Sequence, residues 1–117
     1  MYHIFNTKKT ITLEKIGPIT ISGYSRSNYK TGYLIQPFNI YLDCGAESPI
    51  PPNLICISHG HLDHISALYS LLINSSKCTV LLQDSIKGNI QNMLNSMSSL
   101  NNGKNTIYNN WNPITSN

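Results

Sequence analysis

Three features of this 117-residue chain predict an α/β fold. The first third alternates apolar and polar residues in short runs, the period-2 signature of strands. Leu54 to Ser58 is an uninterrupted run that reads as a strand buried on both faces. Beyond residue 64 the apolar period lengthens to the three-to-four spacing of helices. The expected order is a β-meander followed by a β-α-β-α unit.

The meander starts at Thr10 to Ile16, where Ile11 and Leu13 alternate with polar residues. Gly17-Pro18 signals a turn, and Ile19-Thr20-Ile21 resumes the strand pattern. Tyr33-Leu34-Ile35 and Ile40-Tyr41-Leu42 are two further strands, with Gln36-Pro37-Phe38-Asn39 as the hairpin connection. Ser48-Pro49-Ile50-Pro51-Pro52-Asn53 is too proline-rich for helix or central strand and reads as a crossover loop. Ile65, Leu68, Tyr69, Leu72 and Ile73 recur at helical spacing, and Asn74-Ser75-Ser76 ends that helix. Thr79-Val80-Leu81-Leu82 is another strand. Asp84 or Ser85 is expected to cap a second helix with the stripe Ile86, Ile90, Met93, Leu94 and Met97. Residues 54 to 97 thus read as a βαβ unit with parallel pairing. Residues 1–100 form one expected domain. Residues 101–117 are an Asn-rich tail containing Ile107-Tyr108 and Trp111, expected to be disordered or a strand without a partner.

Composition narrows the function classes. Charged residues are 11% of the chain, against about 25% in an average soluble domain. The net charge is +3, and Lys8, Lys9, Lys15, Arg26 and Lys30 are scattered through the first third. That scatter reads as ordinary solvated surface rather than the clustered patch of a dedicated nucleic-acid binder. Cys44, Cys56 and Cys78 are odd in number and contain no CxxC pair, which argues against a disulfide framework or a cysteine zinc site. Cys56 reads as a small buried hydrophobe. With no basic leader plus apolar run and no membrane-length stretch, the expectation is a cytoplasmic or otherwise intracellular protein, away from membranes.

The chemistry is concentrated in His59-Gly60-His61-Leu62-Asp63-His64, directly after the apolar strand. Residues i and i+2 of an extended segment point to the same side, so His59 and His61 can reach one metal ion. Asp63 and His64 stand where the next helix starts, turned away from that pair and placed to serve a second ion. A carboxylate at a helix N-terminus is favoured by the dipole, and the carboxyl end of a parallel strand is where α/β folds place their sites. A single histidine at a strand end is more often structural than a ligand. Three of the chain's four histidines and an aspartate within six residues argue for metal.

HxHxDH after a hydrophobic strand resembles the hallmark of the metallo-β-lactamase superfamily. Ile40-Tyr41-Leu42-Asp43-Cys44-Gly45 resembles that superfamily's first motif, a strand ending in Asp followed by a small turn. Ser22-Gly23-Tyr24-Ser25-Arg26-Ser27, Thr31-Gly32-Tyr33-Leu34-Ile35 and Ile57 to Ile65 look like the opening of tRNase Z-like proteins. Where relatives place Gly-Leu soon after the motif, this chain has Ser66-Ala67-Leu68. Glyoxalase II and other hydrolases share the same core. The resemblance covers roughly residues 10 to 85 and implies the N-terminal half of an αββα sandwich. It also implies a zinc-dependent phosphodiesterase, with precursor tRNA as substrate and 3′-end processing as activity. His59 and His61 would hold one zinc and Asp63 and His64 the other, with Asp63 as general base. Asp43 would support the histidine loop without being a ligand.

The resemblance also defines a deficit. Such a site takes a further His, a bridging Asp and a final His, whereas no histidine follows His64. The only later acidic residue is Asp84, read as a helix cap, and the remaining histidine is His3. The expected zinc centre, of up to two ions, is therefore incomplete. Three readings follow: a hydrolase whose reading frame is shortened, a non-catalytic half-domain acting by binding or assembly, or a hydrolase completed by another polypeptide. The second sheet of the sandwich is missing too, so an apolar face is expected to be open to a second polypeptide or a homo-oligomer.

Overall fold

The computed structural model describes residues 7–26, 29–74, 78–101 and 111–116. His3, Ser27, Ser75, Ser76, Ile107 and Tyr108 lie outside the described residues. The fold is α/β. Seven strands form one mixed sheet whose spatial order follows the sequence. β1 (Thr7–Leu13), β2 (Gly17–Arg26), β3 (Lys30–Gln36) and β4 (Ile40–Leu42) are paired antiparallel. β5 (Leu54–Cys56), β6 (Cys78–Gln83) and β7 (Trp111–Ser116) then continue in parallel. The β1–β2 turn closes with Ile16 N–H donating to Leu13 O at 3.2 Å. It leaves Gly17 at φ +96°, a conformation glycine adopts without steric cost.

Helices lie on one side of this sheet. α1 (Leu62–Ile65) and α2 (Leu68–Ile73) fill the β5–β6 crossover, and α3 (Asp84–Leu100) follows β6. Alternation along each strand decides what they cover. Leu34, Tyr41, Ile55 and Val80 stand in one row across β3, β4, β5 and β6. They pack with Leu68 and Leu72 of α2 and with Ile90 and Leu94 of α3 in one buried cluster. The next row, Leu42, Cys56, Leu81 and Ile114, points the other way. Three of its members keep 39%, 37% and 52% of their surface exposed, namely Leu42, Leu81 and Ile114.

Several expectations are corrected. β5 is three residues long and sealed on one face only, because Ile55 is buried while Leu54 and Cys56 are half-buried. Ile57 N still donates to Leu81 O at 2.9 Å, which prolongs the pairing by one bond. The expected helix from Ile65 to Ile73 is broken at Ser66-Ala67. Ala67 N–H donates to Cys44 O at 2.8 Å, and Ser66 Oγ donates to Gly45 O at 2.9 Å. These bonds to the end of β4 interrupt the helical ladder. At α3 the cap is Gln83, with no side-chain cap bond, and Asp84 stands in the first turn, where its carboxylate still faces the positive end of the dipole. The tail contains a strand that does have a partner: β7 pairs with β6 from Cys78↔Trp111 to Gln83↔Ser116. Pro113 is tolerated there because one side of an edge strand has no ladder to satisfy.

Candidate functional site

The histidine motif runs from the loop after β5 into α1, beyond the carboxyl end of a parallel strand. Beside it an open cleft of about 430 Å³ is lined by Asp43 and Ser58 together with Leu42, Cys56, Leu81 and Gln83. None of His59, His61, Asp63 and His64 lines this cleft.

The loop is clasped by the turn that ends β4. Asp43 has φ +60°, a left-handed conformation that Asp tolerates better than most residues. Its N–H donates to Cys56 O at 2.7 Å. Cys44 N–H donates to His64 O at 2.8 Å, and Gly45 N–H donates to Thr31 O at 2.8 Å. Gly45 is pressed between two chains. A Cβ added there would overlap the carbonyl of Asp63, 2.6 Å from its carbon, and crowd Thr31 N at 2.8 Å. Only glycine lets the histidine loop come this close.

Asp43 then reaches the functional side chains. Its Oδ1 accepts from Ser58 N–H at 2.8 Å, and the Ser58 hydroxyl lies 2.9 Å from both carboxylate oxygens. The same hydroxyl is 2.9 Å from His59 Nδ1. A hydroxyl carries one hydrogen, and a carboxylate can only accept. With that hydrogen given to Asp43, Ser58 Oγ accepts from His59 Nδ1–H. His59 Nε2 is thereby left with the free lone pair, the arrangement by which a neighbouring group orients a metal-ligating histidine.

His64 lies between two aspartates. Its Nδ1 is 3.0 Å from Asp43 Oδ2 and its Nε2 is 3.3 Å from Asp63 Oδ2. Nδ1 is fully buried, and Asp43 Oδ2 sits close to it but out of line for a hydrogen bond. The ring does not turn away from the first histidines as expected. Its centroid is 4.0 Å from that of His59, which in turn is 4.5 Å from that of His61. The reason is the clasp: by binding His64 O, Cys44 draws α1 back against the end of β4. His59, His61 and His64 therefore form one group of rings, with Asp63 and Asp43 flanking His64.

Among the described residues, no three His, Cys, Asp or Glu side chains are placed to hold one metal ion together. A catalytic zinc takes three protein ligands and a structural one takes four, so this donor set fits part of a centre. Sequence reasoning named His59, His61, Asp63, His64 and Asp43 as candidates. It missed Gly45, Ser58 and Ser66. Their signals were present as a glycine two residues after the aspartate and small hydroxyl residues on either side of the motif.

The three cysteines are free thiols. Burial, and then the nearby Asp43 charge, pushes the Cys44 thiol well above its usual range. No helix among the described residues is long and apolar enough to cross a membrane. No family model and no curated protein matches the chain.

Proposed function

We propose that this chain is the N-terminal half of a metallo-β-lactamase-type αββα sandwich, bearing the first half of a tRNase Z-like phosphodiesterase centre. The observation that carries this reading is the gathering of the His59, His61 and His64 rings at the carboxyl end of β5. The turn from Asp43 to Gly45 holds that loop in place. In this reading His59 and His61 serve one zinc ion, and Asp63 and His64 serve a second. Asp43 stays outside the ligand set and orients Ser58, and through it His59. Zinc held there would supply Lewis-acid stabilisation of charge developing on a phosphoryl oxygen. Asp63 takes up the proton of the attacking water. The substrate is RNA, with the 3′ end of a precursor tRNA as the specific candidate. The remaining ligands come from outside these 117 residues. The site works in a reducing, intracellular setting, in keeping with three unpaired cysteines.

A second reading is favoured by the open sheet face and by the lack of a three-donor group among the described residues. It takes the chain as a non-catalytic half-domain that acts by assembly. Zinc titration of the purified chain, together with precursor-tRNA cleavage, separates the two. The proposed centre is expected to bind zinc in a manner weakened by His61→Ala and Asp63→Ala, without turnover by the isolated chain. Turnover abolished by both substitutions would show that the chain completes its own site. Zinc binding indifferent to both would leave the assembly reading.

A further inference from the structure

We propose that the rim where β2 turns back into β3 carries a binding platform for single-stranded RNA. The Tyr29 ring stacks on an unpaired base, and Arg26 and Lys30 take the phosphates beside it. The platform's place in catalysis rests on the phosphodiesterase reading above, whereas its binding needs no metal. In the sequence the cations of the first third are scattered. The β2–β3 register gathers two of them, because Arg26 and Lys30 stand directly opposite each other. The Arg26 guanidinium lies 5.6 Å, and the Lys30 ammonium 5.5 Å, from the centroid of the Tyr29 ring. The Tyr24 ring meets Tyr29 edge-on, with centroids 6.1 Å apart. Tyr29 is braced in this way, yet 51% of its surface stays exposed.

Two observations direct this cluster toward a polyanion. The first is its charge. Like charges directly opposite each other across a strand pair destabilise it. Among the described residues, neither cation is ion-paired with a carboxylate that would relieve the repulsion. The rim therefore holds two unneutralised charges beside an open ring. Single-stranded nucleic acid is bound by that combination, cations for its backbone and a π face for its bases. The second observation is position. Lys30, Gly32 and Leu34 alternate onto the helix-bearing side of the sheet, and so do Tyr24 and Arg26 opposite them. The cluster is therefore off the bare face. Tyr33, Leu42 and Cys56 are level across β3, β4 and β5. Three residues further toward the same rim stand Lys30 and His59, two strand spacings or roughly 10 Å apart. Gly45 joins the two regions, wedged between the Asp63 carbonyl and the amide nitrogen of Thr31, the neighbour of Lys30. A strand held on Tyr29 thus presents a neighbouring phosphodiester to the histidine loop.

The test is fluorescence anisotropy of a labelled oligouridylate, about twelve nucleotides long, with the full chain. EDTA is present, so that no metal contributes. Saturable binding that weakens with salt is expected. Tyr29→Ala is expected to weaken it about 10-fold, and Tyr29→Phe, which keeps the π face, by less than about 2-fold. Arg26→Gln combined with Lys30→Gln is expected to lower the slope of log affinity against log salt by about 1.4, the share of two phosphate contacts on a single strand. Circular dichroism checks that each variant is folded. Should Tyr29→Ala disturb the fold, Tyr29→Leu, which has bulk but no π face, takes its place with the same expected loss. A wild-type chain that does not bind, or binding indifferent to these changes at Tyr29, would overturn the platform and leave the metal centre to the zinc titration. A salt slope untouched by the loss of both cations would overturn it too. Binding as expected by a chain that takes up no zinc would uphold the platform and count against the metal centre alone.

Discussion

Ile55 and Cys56 are consecutive residues of β5, yet they belong to opposite sides of the molecule. Ile55 is fully sealed beneath the helices, while Cys56 is half-buried on the bare side, next to Leu81 at 37% exposure. The difference teaches how this chain divides its apolar residues. The covered face spends them on one continuous core with α2 and α3. The bare face holds others, among them Leu42, Cys56, Leu81 and Ile114, that lie outside that core. Alternate residues of the same strands are thereby sealed in the core or left outside it, and the histidine loop sits at the rim where both faces end.

Substitutions can break this contrast, and they rank by what each residue touches. Ile55→Ala is expected to lower the unfolding free energy by about 2–5 kcal/mol, the range for a large side chain removed from a sealed core. Urea denaturation would measure it. Gly45→Ala comes next, at about 1–3 kcal/mol for forcing atoms into a packed contact. Because the atom struck is the Asp63 carbonyl, this change should also abolish zinc or cobalt binding, while a core substitution of equal cost should leave binding intact in the folded fraction. Ser58→Ala should change stability by no more than ~1 kcal/mol, yet weaken metal binding by about 10-fold, because His59 loses the group that fixes its ring. Cys56→Ala should cost less than ~1 kcal/mol. If it matched Ile55→Ala, the division between the faces would be wrong.

Burial raises the pKa of all three thiols, Cys56 on the bare face included, and gives stability a pH signature. Burial pushes the Cys78 thiol up to about 11, from the usual 9.0, and holds Cys44 well above its usual range too. Both are core-facing. A group whose pKa is raised by folding keeps its proton longer in the native state than in the unfolded chain. Stability is therefore full below pH 9 and falls as the pH rises from about 9 towards 11. Denaturation midpoints across that window should show the decline, and Cys78→Ala should flatten part of it.

Much of this was legible in the residues because period and burial coincide. The change of period after residue 64 revealed the βαβ unit, and alternation in residues 10 to 42 revealed the meander. The break at Ser66-Ala67 was hidden, since the stripe from Ile65 to Ile73 keeps helical spacing straight through it. What interrupts it is a backbone bond to Cys44, 23 residues earlier, which no local pattern records. β7 was half legible, since a strand in the tail was one of two expectations and its partner was the hidden part. Trp-Asn-Pro-Ile-Thr-Ser has weak alternation and a proline, and it becomes a strand because β6 offers an unpaired edge. At the site, residue types announced the donors. Their mutual placement depended on the clasp, and so His64 swung toward His59 instead of away from it.

The strand order has a consequence for synthesis. Since β1 to β7 lie side by side in the order in which they are made, each new strand can add to the edge left by the one before. No strand must wait for a distant segment to emerge from the ribosome. The histidine loop lies between β5 and β6, so it is fastened once Ile57 meets Leu81. The bonds that fasten it, from Asp43, Cys44 and Leu81, therefore all come from chain made before α3 and β7.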